Sequence, residues 1–461
     1  MSDLLSQNKS GWENVDESTK QKIFDVSNEY IDFMNKSKIE RERVANSERI
    51  ARENGFKSID EYSELHAGDK VYFINREKNI YLAVIGTKSI EEGVNIIGAH
   101  ADSPRLDLKP NPLHEEGDFA YFKTHYYGGI KKYQWTTIPL AIHGVIIKEN
   151  GEKINVTVGE DENDPIFTIT DLLPHLAKDQ MQKKLSEAIN AENLALAIGN
   201  IPDMEEKEGK DRIKKNIIKL LNKKYGITED DFISSELELV PAFKARTMGF
   251  DESMVAAYGQ DDKVCVYTAL RAMLDLNNPE TTAICLFSDK EEIGSMGNTG
   301  MESHVFDTFV AELLNKLRIN RPNLLDKVFC NSKMLSADVD AGVDPLYSSV
   351  SDMENAGFIG HGVSLNKYTG AGGKYNSSDA NAEFVAYIRR LFNENSVKYQ
   401  LAELGKVDIG GGGTIAYILA NKGVDVIDCG VPVLSMHSPY EVTSKYDIYE
   451  AYKAYNAFFR S

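Results

Sequence analysis

The chain has 461 residues, too many for a single small module, so its length predicts two or more compact units. Hydrophobic residues make up 42% of it and charged residues 27%, which is ordinary for a globular protein and argues against a disordered or fibrous chain. The formal net charge of −19 argues against broad contact with nucleic acid or anionic membranes, which require surplus lysine and arginine, and leaves small molecules or peptides as the expected partners.

The first elements are predicted from the spacing of apolar residues. Residues 19–54 carry apolar side chains at helical intervals, which predicts an amphipathic helix that serves packing. Short apolar runs at 70–74, 81–86 and 94–99 predict strands of a central sheet, so His100 follows the end of a strand. No stretch approaches the roughly 18 apolar residues of a membrane-spanning helix, and the opening residues do not resemble a secretion signal. We therefore expect a cytoplasmic protein.

The middle of the chain differs in character and predicts a second domain. Residues 138–148 and 153–158 are rich in strand-forming side chains and flank the turn signal Glu149-Asn150-Gly151, which predicts a hairpin. Helical spacing recurs at 179–191 and in the charged segment 205–224. We interpret residues 109–242 as a smaller β-rich domain inserted into a catalytic domain that is formed by residues 1–108 and 243–461.

Strands and helices alternate again in the last part of the chain. The sequence predicts a helix after Asp262, another near 307–317 and a terminal helix from Lys445. It predicts strands at 283–287, 333–337 and 424–428. This alternation predicts an α/β fold with a mixed sheet flanked by helices. In sheets of this kind ligands bind outside the carboxyl ends of the strands.

Five side chains that can bind a metal ion lie at predicted strand ends or in adjoining loops. They are His100, Asp261, Glu292, Asp338 and His437. An extended backbone places Asp102 on the same side as His100, where it can orient the imidazole. Glu291 and Glu292 follow a predicted strand, and such a pair suits a site in which one carboxylate binds a cation and the other acts as a base.

Taken singly, each segment is explained at least as well by a structural histidine, a solvated acidic turn or a surface loop. Taken together, they would meet at one edge of a sheet as a set of oxygen and nitrogen donors suited to zinc, cobalt or manganese. We therefore predict a divalent metal centre at this edge of the sheet.

Seven motifs, in this order, resemble the M18 family of metallo-aminopeptidases, the family of aspartyl aminopeptidase and vacuolar aminopeptidase I. The motifs are HADSPRLDLKP, LLPHL, QDDK, DKEEIGS, SADVD, GGGGT and MHSPYE. The resemblance covers nearly the whole chain. It implies two divalent metal ions, with zinc the first choice. Asp261 would bridge them, with His100 and Asp338 completing one site and Glu292 and His437 the other.

The resemblance also implies roles for three further residues. Glu291 would be the general base, and Asp102 would orient a metal-binding histidine. His175 matches the segment that reaches the reacting carbonyl of a neighbouring subunit. The inserted domain, residues 109–242, would then serve oligomerisation. The chain would form a homo-oligomer, and the family implies a dodecamer.

Two questions stay open at the level of sequence. The family usually has Leu-Asp-Asn where this chain has Gln260-Asp261-Asp262, so Asp262 could be the ligand in place of Asp261. Residues 362–378 are rich in glycine and serine and are expected to line the substrate pocket. That composition leaves the preferred amino-terminal residue of the substrate open between acidic and broader choices.

The predicted function is the removal of amino-terminal residues from short peptides. Glu291 would take a proton from the attacking water, and the free α-amine of the substrate would bind one metal ion. A two-metal carboxypeptidase or deacetylase would use the same ligand types on another part of a substrate. A catalytically inert binding or assembly protein would keep the metals for structure and would have no need of Glu291.

Overall fold

The computed structural model describes residues 8–206 and 208–461, which form two compact units. The large unit comprises Ala245–Met436, Tyr440–Ser461 and the described residues up to Asp102. The small unit comprises Ser103–Lys244 and His437–Pro439. The sequence places the corresponding boundaries at 109 and 242. The role of the small unit in oligomerisation stays a prediction.

The described residues form ten α-helices. They are α1 (Glu17–Asn35), α2 (Glu40–Glu53), α3 (Leu185–Ala188), α4 (Arg212–Tyr225), α5 (Gln260–Leu274), α6 (Val305–Lys316), α7 (Leu324–Asn331), α8 (Ala382–Glu394), α9 (Ala416–Ala420) and α10 (Lys445–Phe459). The single helix predicted for residues 19–54 is therefore two helices, because the backbone of Ile39 is extended immediately before α2 (φ −112°, ψ 165°).

The helix predicted for residues 179–191 is wrong. This segment contains a 3-10 turn, Gln180–Gln182, the single-turn helix α3 and the first residue of a second 3-10 turn, Ala191–Asn193. Two of its apolar side chains, Met181 at 67% and Leu185 at 61%, are largely exposed, although Ile189 is buried. Short helices owe most of their stability to packing of an apolar face, which is largely missing here.

The strands of the described residues are short and numerous. They are β1 (Lys57–Ser58), β2 (Lys70–Asn75), β3 (Asn79–Val84), β4 (Val94–His100), β5 (Arg105–Glu116), β6 (Phe119–Tyr127), β7 (Leu140–Ile147), β8 (Lys153–Val158), β9 (Ala195–Gly199), β10 (Ser235–Pro241), β11 (Arg246–Met248), β12 (Met254–Ala257), β13 (Thr282–Ser288), β14 (Lys333–Ser336), β15 (Asp340–Ala341), β16 (Val363–Asn366), β17 (Gly370–Ala371), β18 (Tyr399–Leu401), β19 (Gly411–Gly412), β20 (Asp425–Gly430), β21 (Pro432–Val433) and β22 (Glu441–Ser444).

A nine-stranded sheet forms the centre of the large unit. Its order is β1-β2-β3-β13-β4-β14-β20-β16-β18. Strands β13, β4, β14 and β20 are parallel, whereas β3 and β16 pair antiparallel on either side of them, so the sheet is mixed. Every residue of β3, β4 and β13 is buried, as expected for strands covered on both faces. The predicted α/β fold with a mixed sheet flanked by helices is confirmed.

The small unit is built on a second sheet. Its six strands follow the order β8-β7-β10-β5-β6-β9, and each neighbouring pair is antiparallel. The predicted hairpin is formed by β7 and β8. Helix α4 occupies the carboxyl-terminal part of the charged segment for which a helix was predicted, and its Ile213 is buried.

Each unit contains one of the two tryptophans of the sequence. Trp135 of the small unit is fully buried. Trp12 of the large unit is partly exposed, and its ring centroid lies 5.5 Å from that of Tyr446. Within the described residues, no helix combines the length and apolar character needed to cross a membrane.

Candidate metal centre

The ends of three parallel strands bring three of the predicted metal-binding side chains, those of His100, Glu292 and Asp338, to one edge of the large sheet. His100 is the last residue of β4 and pairs in register with Ser288, the last residue of β13. Ser336, the last residue of β14, pairs with Gly98 of β4. The chain therefore leaves β4 and β13 at the same level and leaves β14 two residues earlier, so Asp338, two residues after Ser336, follows β14 at about the level of His100.

The imidazole of His100 is the centre of this cluster. Its Nε2 lies 2.9 Å from Oδ1 of Asp261 and 3.6 Å from Oδ1 of Asp338. Asp262 is oriented differently, because its Oδ2 accepts a hydrogen bond from the main-chain N–H of His100 at 3.2 Å. Asp261 and Asp262 both depart from helical backbone angles at the start of α5, and the peptide bond between them is cis.

Two sets of donor atoms are close enough to share a cation. Ligand atoms of His100, Asp261 and Glu292 all lie within 4.8 Å of one another, and so do those of His100, Glu291 and Asp338. The donors are one imidazole nitrogen and carboxylate oxygens, the types that zinc binds in catalytic sites. The geometry therefore fits a divalent ion.

The electrostatics of the cluster also fit a cation. Burial raises the pKa of Glu291 to about 8, and the negative charge of Asp338 adds to this effect. Burial likewise raises the pKa of Asp338, and that of Asp262 well above its ordinary range. Burial alone would lower the pKa of His100, but its carboxylate neighbours raise it well above the usual value. A divalent cation would offset this crowding of negative charge.

Asp102 links the segment that follows β4 to the segment that follows β13. Its carboxylate is fully buried and accepts the main-chain N–H of Glu291 on Oδ1 and that of Glu292 on Oδ2, both at 3.1 Å. The Nδ1 atom of His100 lies 3.3 Å from Oδ1 of Asp102 and 3.1 Å from its carbonyl oxygen. One side chain thus contacts the histidine and the backbone of both glutamates.

Residues without a predicted role hold the backbone of Asp261. Oε2 of Glu441 accepts the main-chain N–H of Asp261 at 3.2 Å. The Gln260 side chain donates to the carbonyl of Glu441 at 3.0 Å and accepts from the hydroxyl of Tyr30 at 3.0 Å. Glu441 ends the MHSPYE motif, so a sequence signal for it existed, whereas Tyr30 lies in a helix that the sequence marks only as amphipathic.

The remaining two predicted residues belong to the small unit. Nδ1 of His437 lies 2.8 Å from the carbonyl oxygen of Gly129, and His437 has a positive φ of 64°. His175 is exposed in the 3-10 turn Pro174–Leu176.

The glycine-rich segments form a small structure within the large unit. Gly370 and Ala371 of β17 pair antiparallel with Gly412 and Gly411 of β19. A pocket of about 60 Å³ adjoins them, and Tyr368 and Lys374 are among its lining residues.

Comparisons with known proteins identify what the chain is similar to. A family described as "Aminopeptidase I zinc metalloprotease (M18)" matches residues 33–459. A probable M18 family aminopeptidase 1 of Clostridium acetobutylicum is 49% identical over 460 residues, which cover 99% of both chains. The crystal structure of an M18 family aminopeptidase from Thermotoga maritima superposes with a TM-score of 0.95 at 47% identity, covering 99% of both chains. A more distant yeast structure, the mApe1 dodecamer, shares the fold at 23% identity, with a TM-score of 0.76 and coverage of 95% and 96%.

Proposed function

The chain belongs to the M18 family of zinc metalloproteases, and from that premise we propose that it removes single residues from the amino ends of short peptides at a centre that holds two divalent ions. It is a zinc-dependent hydrolase. The observation that carries the finer proposal is the gathering of one imidazole and four carboxylates, those of Asp261, Glu291, Glu292 and Asp338, around the end of β4.

Asp261 is proposed as the shared ligand of the two ions. His100 and Asp338 would complete one site, and Glu292 and His437 the other. The 2.9 Å approach of Asp261 to the ring of His100 supports this choice. Asp262 is the weaker candidate because its carboxylate already accepts the main-chain N–H of His100.

Glu291 is proposed as the general base. The chemistry that zinc supplies at such a centre is Lewis acidity, which makes water more acidic and a peptide carbonyl more electrophilic. The carboxylate of Glu291 would accept a proton from the attacking water and then donate it to the departing amine. The hydrogen bond from its main-chain N–H to Asp102 would keep the carboxylate in place during both transfers.

Replacing Glu291 tests this assignment. We expect Glu291→Gln to retain zinc and lose at least about 100-fold in kcat, because the amide has a similar shape but cannot take the proton. The matched control is Glu280→Gln, which removes a surface carboxylate paired with Lys88 and should leave kcat unchanged. Near-normal turnover by Glu291→Gln with zinc bound would refute the role.

The substrate class is tested by blocking either end of a peptide. An aminopeptidase requires a free α-amine, so an aminoacyl anilide should be cleaved and its N-acetylated form should not. Cleavage of the acetyl group would favour a deacetylase, and release of the carboxyl-terminal residue would favour a carboxypeptidase.

We propose further that the chain works as a homo-oligomer, with His175 of one subunit serving the centre of another. His175 lies in an exposed segment with apolar side chains that would be covered by a second copy of the chain. Leu172, Leu173 and Leu176 are 53%, 50% and 69% exposed. The yeast relative of the same fold forms a dodecamer, and we propose that state here.

A further inference from the structure

The carbonyl oxygen of Asp102 lies within hydrogen-bond distance of two donor groups. His100 approaches it with Nδ1 at 3.1 Å. Arg43 donates to the same oxygen from Nη1, also at 3.1 Å, across 59 residues of sequence. An acceptor for the N–H of one ring nitrogen fixes the other nitrogen as the metal ligand, so this carbonyl oxygen, which accepts from Nδ1, leaves Nε2 of His100 to bind a metal.

Arg43 reaches this position from helix α2, which packs within the large unit. The residue is 1% exposed. A guanidinium is costly to bury unless negative charges and hydrogen-bond acceptors surround it. Asp102, Glu40 and Asp262 supply negative charge close to Arg43, and these charges oppose the lowering of its pKa by burial.

We propose that Arg43 is a positioning residue for the metal centre: by holding the carbonyl of Asp102, it fixes both the ring of His100 and the carboxylate that binds the backbone of Glu291. This inference rests on the proposed function of the cluster. Arg43 acts through the carbonyl of Asp102, and its burial closes it off from a peptide substrate. Its positive charge also reduces the repulsion among the buried carboxylates.

Loss of Arg43 should weaken zinc binding and leave the binding of substrate almost unchanged. Without the guanidinium, Asp102 still accepts the main-chain N–H groups of Glu291 and Glu292 on its carboxylate. Its carbonyl oxygen, however, loses the hydrogen bond from Arg43. The imidazole then samples other orientations, so zinc binds more weakly and turnover falls. Because Arg43 is buried, a peptide should not reach it, and KM should hardly change.

The test compares two variants of Arg43 with a control on the same helix. Arg43→Met keeps a shorter, unbranched apolar side chain and removes charge and donors, whereas Arg43→Lys keeps the charge but not the planar fork of donors. Arg49→Met is the control, because Arg49 is half exposed and pairs with Glu53 at the surface. Zinc affinity is measured by competition with a chelator, and kcat and KM are measured on a peptide anilide.

We expect Arg43→Met to bind zinc about 10- to 100-fold more weakly than the native protein, with a lower kcat and a KM within about twofold. Arg43→Lys should lose less affinity, and Arg49→Met none. A purely structural role would lower the melting temperature of the metal-free protein and leave zinc affinity unchanged, and that result would overturn the inference. If Arg43→Met does not fold, native zinc affinity in Arg43→Lys overturns it.

The two proposals fail in different ways. A native protein that binds zinc but cleaves no peptide contradicts the proposed function, and the zinc measurements on Arg43 still decide the inference. Full peptidase activity together with unchanged zinc affinity in both Arg43 variants contradicts only the inference.

Discussion

Asp428 is a buried carboxyl group with no part in the proposed catalysis. It is 4% exposed, and its Oδ1 accepts a hydrogen bond from the hydroxyl of Thr414 at 2.6 Å. Burial raises its pKa to about 7. Between about pH 4 and pH 7 the folded protein therefore holds a proton that the unfolded chain has released, so this group makes stability fall as the pH rises.

Replacing Asp428 with asparagine should remove that dependence. We expect the free energy of unfolding of Asp428→Asn, relative to the native protein, to increase by about 1.4 kcal/mol per pH unit between about pH 4 and pH 7 and to level off above. Urea titrations of both zinc-loaded proteins from pH 4 to 8 measure the difference. A difference that does not vary with pH would show that Asp428 is ionised throughout this range.

Single residues differed in how much of their role the sequence could reveal. His100, Asp102 and Glu291 lie in short motifs, where neighbours in the chain suggest the chemistry. Arg43 and Glu441 act over 59 and 180 residues of sequence, on Asp102 and Asp261 respectively. Such contacts depend on the packing of distant elements, which local patterns do not encode.

At the scale of elements, the metal centre depends on how closely strand β20 approaches the loop after β14. A Cβ atom built at Gly430 would overlap the main-chain carbonyl oxygen of Asp338. The glycine therefore lets the chain that carries Asp338 pass directly over the end of β20. A side chain at this position must push Asp338 away from His100.

We expect Gly430→Ala to lose about 2 kcal/mol of stability through overpacking and to bind zinc more weakly as Asp338 shifts. The measurements are thermal unfolding of the metal-free protein and chelator competition for zinc. Gly413→Ala is the control for stability, because a Cβ built there has no atom within 4 Å. Native zinc affinity in Gly430→Ala would mean that the loop relaxes without moving Asp338.

The elements that the sequence predicted well are those with strong apolar patterns. Strand β13 and the hairpin of β7 and β8 follow such patterns closely. The break before α2 and the near absence of helix around α3 were not predicted. In both segments the local spacing of apolar residues is helical, but tertiary packing determines a different backbone conformation. The mixed sheet was predictable from alternation, but its register, which aligns Ser288 with His100, was not.

At the scale of the whole molecule, the proposed sharing of His175 between subunits makes two inactive variants complementary. His175→Ala should lose about 100-fold in kcat as a donor to the developing oxyanion is removed, and Glu291→Gln lacks the base. In a mixed oligomer, a subunit with intact Glu291 can receive His175 from a neighbour that carries Glu291→Gln. Random assembly in equal amounts should restore about one quarter of the sites.

Co-expression of the two variants with different affinity tags isolates the mixed oligomers for assay. The control pairs His175→Ala with the double variant His175→Ala/Glu291→Gln, which supplies no intact histidine and should stay inactive. No recovery in the first mixture, or an active monomer in size-exclusion chromatography with light scattering, would refute sharing between subunits. Assembly of this kind needs a second copy of the chain, so one sequence suggests it only by resemblance.

The placement of one tryptophan in each unit gives the protein two built-in optical reporters. Trp135, enclosed in the small unit, should emit at short wavelength until that unit opens, whereas Trp12 beside Tyr446 should emit further to the red. With Trp12→Phe the tryptophan fluorescence, excited selectively, reports only on the small unit, and with Trp135→Phe only on the large one. Denaturation followed by fluorescence in the two variants therefore resolves whether the units unfold in a single transition or one after the other.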